Sequence, residues 1–346
     1  MSRVIIAAIV ALLLSIALGP RFIAFLRRKE LGQIIREEGP QGHVVKQGTP
    51  TMGGVLVVIA AALAFLPLSR YSTAGLTVFF ATIACASVGF ADDFIKLTHR
   101  RSLGLAGRWK LLLLAAISAV VGYLASKRDL GGLDVTDVYM PLVDVSLPLS
   151  WLWYGLVFFV IAGAANGVNL ADGIDGLAAG TGMIALFTLT AMNVLTFVRT
   201  GQIDPNSQSV AALDMAILGA ALIGAAIGFL WYNAFPAEVF MGDTGSFAIG
   251  GALGAFAVMS RSELLLLLIG GIFVIEALSV ILQVVSFKYW GRRIFLMAPI
   301  HHHFEMKAWS ETKIMVRFWI VAAILCGAAF ALYYRYFRDF RPDLYA

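Results

Sequence analysis

At 346 residues, 60% hydrophobic and 14% charged, with a mean hydropathy of +0.85, the chain has too little polar side chain to clothe a water-soluble fold. Its composition is that of a polytopic membrane protein. A formal net charge of +5 does not make it a nucleic-acid binder, because Lys and Arg are distributed by loop rather than gathered on one soluble domain.

A hydrocarbon core needs about 17 to 25 mostly apolar residues per helix. In chain order, ten segments approach or meet this: roughly 4-26, 51-69, 74-91, 109-126, 149-165, 177-198, 211-231, 245-260, 263-286 and 314-334. The first follows Arg3 and mimics a signal peptide, but no convincing small-residue cleavage site precedes Arg21, so it is read as a retained span. Cys85 and Cys326 lie inside apolar runs, which reads as two buried free thiols. Glu276 and Gln283, seven residues apart in span nine, share a helical face that should look into the protein. No internal repeat is visible, and 1-346 reads as a single domain.

Loop charge orients the spans. Arg27, Arg28, Lys29, Arg36 and Lys46 follow span one; Lys96, Arg100, Arg101, Arg108 and Lys110 follow span three; Lys288, Arg292, Arg293, Lys307 and Lys313 follow span nine. The even-numbered connections are sparse in basic residues. Odd-numbered connections are therefore expected in the cytoplasm and both termini outside it. The expected fold class is all-α, a ten-helix membrane domain surrounded by membrane lipids.

The unusual polar residues all fall on the cytoplasmic side of this topology. Asp92 and Asp93 end span three, with Lys96 one turn on. Adjacent acids at the mouth of an apolar run want a counter-ion, because an acid at the bilayer centre costs about 2.5 to 3.5 kcal/mol or more. A divalent metal, or a proton to be abstracted, would supply one. Asn166, Asn169, Asp172 and Asp175 follow at intervals of three after span five, on a common side if helical; the interleaved glycines equally permit a helix break. Asn233 closes span seven. Phe240 to Ser246 sets Asp243 before span eight, either as a cap or as a hard oxygen ligand for Mg²⁺ beside anion-binding helix amides. His301, His302 and His303 cannot all point at one metal on regular backbone, and zinc spacings are absent, so hydrogen bonding to phosphate or sugar fits them better. The stretch Lys46 to Gly54, which includes Thr51, joins glycines and hydroxyls to a lysine as a phosphate-binding loop would, though without a Walker pattern.

Lys46-Gln-Gly-Thr-Pro-Thr-Met-Gly-Gly54, Gly89-Phe-Ala-Asp-Asp-Phe-Ile-Lys96, Asn169-Leu-Ala-Asp-Gly-Ile-Asp-Gly-Leu177 and Phe240-Met-Gly-Asp-Thr-Gly-Ser246 together resemble the polyprenyl-phosphate N-acetylhexosamine-1-phosphate transferase superfamily. Met297 to Glu305, with its histidines, and Val316 to Trp319 resemble its phospho-N-acetylmuramoyl-pentapeptide transferase branch, as against siblings that use UDP-N-acetylglucosamine. The resemblance implies a Mg²⁺-dependent enzyme. It would transfer phospho-N-acetylmuramoyl-pentapeptide from UDP-N-acetylmuramoyl-pentapeptide to undecaprenyl phosphate and release UMP, and family members are expected to be homodimers. By similarity Asp92, Asp93, Asp243 and His301 are the catalytic candidates, and Asp243 with Asp172 would hold the metal. Lys46, Thr51, Lys96, Asn166, Asn169, Asp172, Asp175, Asn233, Phe240, Gln283, His302 and His303 would bind substrate, with Phe240 stacking on uracil. Whether Asp92 or Asp93 acts, and whether as base or nucleophile, the sequence leaves open. An ion-coupled transporter also carries intramembrane acids, but usually near the bilayer midplane rather than at span ends on one face.

Overall fold

The computed structural model describes residues 1–29, 48–99, 104–128, 134–140, 145–203 and 209–338. Each of the ten apolar segments is helical. The helices are α1 (Ser2–Arg28), α2 (Gly54–Phe65), α3 (Thr73–Thr98), α4 (Gly107–Ser126), α5 (Leu152–Ala171), α6 (Leu177–Ile203), α7 (Val210–Asn233), α8 (Gly242–Met259), α9 (Leu266–Ile269), α10 (Gly271–Trp290), α11 (Ile300–Glu305) and α12 (Glu311–Arg338). Eight of them, α1, α3 to α7, α10 and α12, are long and apolar enough to cross a membrane; α2 has 12 residues and α8 has 18.

Three features depart from the sequence reading. The fold is not wholly α: β1 (Asp137–Met140) and β2 (Val145–Pro148) pair antiparallel, with Asp137 opposite Pro148 and Met140 opposite Val145. Four-residue strands are too short for a period-two pattern to stand out. The ninth segment is not one helix. It breaks between α9 and α10 at Gly270-Gly271, where a Cβ on Gly271 would run into Leu325 of α12. The connection after that segment is partly helical, with the histidine triplet on the short helix α11.

Helix α8 is the axis of the bundle. Every residue from Thr244 to Met259 is buried, against α3 on one side and α5 on another. Small residues make this possible. Gly250 and Gly254, four apart, lie against the α5 backbone at Ala164, Ala165 and Ile161, and Gly251 meets Cys85 of α3. Gly224 and Gly228 of α7 repeat the device against Ala8, Leu12 and Ser15 of α1. Helices that exchange lipid for one another gain no hydrophobic energy, so such close approach is what holds them. The outer helices leave apolar side chains facing outward instead, among them Ile5, Ile9 and Leu13 of α1 and Ile320 and Ile324 of α12.

At the end of the bundle where α3 and α7 begin, Asp214 is fully buried. It accepts hydrogen bonds from Ser69 Oγ (3.1 Å) and from the backbone N–H groups of Arg70 (2.7 Å) and Ser72 (2.7 Å). Arg3 at the start of α1 donates to Leu68 O there. The carboxylates singled out in the sequence gather at the opposite end, where α3 and α5 finish and α8 starts.

Gly250→Val should push α5 from α8 and lower thermal stability by about 1 to 3 kcal/mol, the usual penalty for overpacking. Gly163→Val, on the same α5 but with nothing near its Cβ position, should melt like the parent. Melting curves in detergent read the difference.

Candidate active site

Asp92 and Asp93 lie on the last turns of α3 and are both buried. Adjacent in sequence, they have separate partners. Asp93 reaches the N-terminus of α8, where Asp243 N–H donates to Oδ1 (3.1 Å) and Thr244 donates to Oδ2 through both its N–H (2.9 Å) and its hydroxyl (2.7 Å). It is the N-cap that α8 does not supply from its own chain, since Met241 makes no side-chain cap. Asp92 instead faces cations: Lys96 Nζ lies 2.6 Å from Oδ2, Lys110 Nζ 3.0 Å from Oδ1, and Leu105 N–H donates to Oδ1 at 2.6 Å.

Asp243, the second residue of α8, completes the cluster. Lys110 Nζ (2.9 Å) and Lys96 Nζ (3.1 Å) both approach its Oδ2, while Asn169 Nδ2 donates to Oδ1 at 2.9 Å and to Ser246 Oγ at 3.0 Å. Asp92, Asp93 and Asp243 each offer a carboxylate oxygen within 4.8 Å of the others. Carboxylates so grouped favour positive charge, and the ammonium groups beside Asp243 show where it collects; Asp243, at the edge of the group, is the hard oxygen ligand open to a divalent cation. Gly242 is required at its position: its φ is +74°, and a Cβ there would crowd Asp93 Oδ2 and Thr51 Oγ1.

Asp172 caps the end of α5 next to this group. Burial, then the negative charges of Asp243 and Asp93, push its carboxyl well above the usual carboxylate range, opposed in part by the Gly242 N–H that donates to it. A divalent cation would relieve that crowding of negative charge.

Several other expected residues act as clasps between loops. Asp175 Oδ2 accepts from Ala237 N–H (3.0 Å); Asn233 accepts from Gly176 N–H (3.1 Å) and donates to Val239 O (3.0 Å). Together they bind the turn after α5 to the segment after α7. That segment is in turn paired with 50–54: Phe240 N–H donates to Pro50 O, and Gly53 and Gly54 donate to Phe240 O and Met241 O, each at 2.8 Å. Phe240 and Thr51 are thereby set at the rim of the carboxylate cluster. Gln283 accepts from the Ile294 and Phe295 N–H groups and donates to Phe295 O, so its amide holds the loop after α10. Asn166 bonds back to Ala162 O, one turn earlier in its own helix.

The three histidines have separate hydrogen-bond partners, although the His301 and His302 ring centroids lie 4.1 Å apart and these two, with Glu305, bring potential metal-ligand atoms within 4.8 Å of one another. His301 Nδ1 pairs with Glu276 Oε1 (3.0 Å), His302 Nδ1 with Glu305 Oε2 (2.5 Å), and His303 Nδ1 accepts from Leu296 N–H (3.1 Å). Burial and then the Lys307 charge hold His303 below its ordinary pKa. Lys46 lies outside the described residues. Lys110, which the resemblance offers together with Arg108 as a phosphate-neutralising cation, lies in the cluster. Thr244, Ser246 and the Leu105 amide join it without any sequence signal that singled them out.

The model of glycosyl transferase family 4 matches residues 75–261, more than half of the chain and the part that holds Asp92, Asp93, Asn169 and Asp243. A phospho-N-acetylmuramoyl-pentapeptide-transferase signature matches 46–58. Among curated proteins, the phospho-N-acetylmuramoyl-pentapeptide-transferase of Rubrobacter xylanophilus is 46% identical over 341 residues, covering 96% of this chain and 98% of that protein. That of Halalkalibacterium halodurans is 43% identical over 334 residues (95% and 97%), and that of Desulforamulus reducens 46% over 326 (92% and 92%). With matches of this length over the very loops that converge on Asp243, the chain belongs to the phospho-N-acetylmuramoyl-pentapeptide-transferase family.

Proposed function

We propose that the protein transfers phospho-N-acetylmuramoyl-pentapeptide from its UDP donor to undecaprenyl phosphate, releasing UMP, at the cytoplasmic face of a bacterial inner membrane. The observation that carries this reading is the cluster of Asp92, Asp93, Asp243, Lys96 and Lys110 at one end of the helical bundle. Charge of both signs there suits a reaction between two phosphate compounds, and a site at the bundle's end meets a water-soluble donor and a lipid acceptor together. Ten crossings with both termini outside, as the loop charges indicate, put that end in the cytoplasm.

In the reaction, an oxygen of the lipid phosphate bonds to the phosphorus that carries the sugar, and the bond from that phosphorus to UMP breaks. The number of phosphoanhydride bonds is unchanged. Positioning and neutralisation of charge account for most of such catalysis. Lys96 and Lys110, now shared between Asp92 and Asp243, turn to the incoming phosphates, and Lys46 joins them from the preceding loop. Asp243 and Asp172 are the residues that would hold Mg²⁺, with Asn169 fixing the Asp243 carboxylate. When bound, the metal would offset the negative charge of the donor diphosphate.

Asp92 is the better candidate for direct chemistry. Asp93 is committed through both oxygens to the start of α8, whereas Asp92 faces the two ammonium groups that substrate phosphates would draw away. Asp92 takes the remaining proton of the acceptor phosphate. With a second phosphate pKa near 6, roughly the cellular range, that assistance is modest. Phe240 stacks on the uracil, and His301 contacts the donor beside the Asp172 turn. Asp175, Asn233, Gln283, His302 and His303 hold the loops that shape the donor pocket, and Thr51 and Asn166 line its edge.

The purified protein, given Mg²⁺, undecaprenyl phosphate and each UDP-sugar in turn, should release UMP from the muramoyl-pentapeptide donor and not from UDP-N-acetylglucosamine; the reverse selectivity would assign it to the sibling branch. Asp243→Asn should lose activity by about 100-fold or more, in the range expected when a charge-stabilising group is removed, and raise the Mg²⁺ needed for half-maximal rate. An unchanged metal titration would remove Asp243 from the metal shell. Without acceptor, the parent enzyme should show no stoichiometric burst of UMP, because a burst would mean that a carboxylate attacks the donor covalently.

A further inference from the structure

Glu276 and His301 form a second buried polar unit, on α10 and α11, outside the carboxylate and lysine cluster. Both side chains are fully buried, and His301 Nδ1 lies 3.0 Å from Glu276 Oε1. Each also has one atom without a hydrogen-bond partner among the described residues: Glu276 Oε2 and His301 Nε2. A buried polar atom left unpaired costs about 1 to 3 kcal/mol, so a polar pair kept open in this way calls for a ligand. The direction of the open atom is defined. A Cβ on Gly173 would run into His301 Nε2, so that nitrogen faces the turn Asp172-Gly173, one residue from the carboxyl that neighbours Asp243.

We infer that Glu276 is a positioning residue for the transfer reaction: it fixes the His301 ring so that Nε2 presents a hydrogen-bonding point to the nucleotide-sugar donor at the Asp172-Gly173 turn. The inference rests on the transferase reading above. Glu276 itself touches no substrate, because the imidazole stands between it and the turn. With Nδ1 engaged by a carboxylate, the ring loses the freedom to flip, which is how a second partner commonly fixes the nitrogen that an imidazole offers. Gly173 belongs to the same device, since any larger side chain would collide with Nε2. Phosphoryl transfer is sensitive to such alignment: a misplacement of about 1 Å is able to cost roughly 100-fold in rate.

The test is a double-mutant cycle in the full-length protein, reading kcat and donor KM from UMP release and thermal stability in parallel. Glu276→Leu, similar in volume and compatible with a membrane interior, should lower kcat by about 100-fold with donor KM changed less than about 3-fold. Glu276→Gln keeps an acceptor for Nδ1–H and should recover most of that loss. His301→Ala should lose as much as Glu276→Leu, and the double variant no more than His301→Ala alone, the signature of two residues acting as one unit. Gly173→Ala, which removes no polar atom, should reproduce the kcat loss by displacing the ring. Multiplying losses in the double variant, or an unchanged kcat in Glu276→Leu with only its melting temperature lowered, would reduce the pair to a brace between α10 and α11. A parent protein that releases no UMP would defeat the transferase reading along with this one, whereas an active parent with multiplying losses would defeat this inference alone.

Discussion

The grip of Asp93 on the first turn of α8 is the contact on which the site depends. A helix entering apolar surroundings brings unpaired N–H groups with it, and at the edge of a bilayer water is a poor remedy. Here the donors at Asp243 and Thr244 end on a carboxylate from another helix, 150 residues earlier in the chain. Charge-assisted hydrogen bonds contribute about 1.5 to 3 kcal/mol each, and the positive end of the helix dipole adds to them. One interaction thus both begins α8 and orients Asp243, the residue beside which the cations collect. Gly89 allows it, because the α3 backbone must come close enough to α8 that a Cβ there would strike Asp243 O.

Around this contact the charges compensate one another. Asp92 and Asp243 share Lys96 and Lys110 at distances of 2.6 to 3.1 Å. Neither acid is left alone in a low-dielectric place, and neither lysine is locked to one partner. Such an arrangement is stable without substrate yet able to release positive charge to phosphates. The same solution appears at the opposite end of the bundle in a purely structural form. Asp214 gathers the start of α3 through Ser69, Arg70 and Ser72, with no lysine in its hydrogen-bonding shell among the described residues. What distinguishes the functional end is the added layer of cations and acids over a cap of the same kind.

The helices were legible because apolar runs of membrane length leave little else for the backbone to do, and the convergence of the polar loops followed from counting crossings. The break at Gly270-Gly271 was not, since two glycines in an apolar run signal neither a kink nor its position until Leu325 is seen against them. The division of labour between Asp92 and Asp93 was also hidden. Adjacent acids on a helix point about 100° apart, but which one meets α8 and which meets Lys110 depends on packing between distant segments. The chemistry of Gln283 shows the same limit: an amide on the inner face of α10 was readable, its use as a clasp on Ile294 and Phe295 was not. The partners of the three histidines were not readable either: α11 sends their Nδ1 atoms to Glu276, Glu305 and the Leu296 N–H, while His301, His302 and Glu305 still bring potential ligand atoms within 4.8 Å of one another.

The central claim is that Asp93 builds the site and Asp92 works in it. The most direct measurement is the affinity for Mn²⁺, standing in for Mg²⁺, followed by electron paramagnetic resonance in detergent for the parent, Asp92→Asn and Asp93→Ala, with UMP release recorded on the same samples. If Asp93 aims Asp243, Asp93→Ala should weaken metal binding by roughly tenfold or more, since the cap that orients the ligand is gone. Asp92→Asn should bind Mn²⁺ within about 3-fold of the parent while losing turnover. An Asp93→Ala protein with parental metal affinity, or an Asp92→Asn protein that turns over normally, would contradict the account.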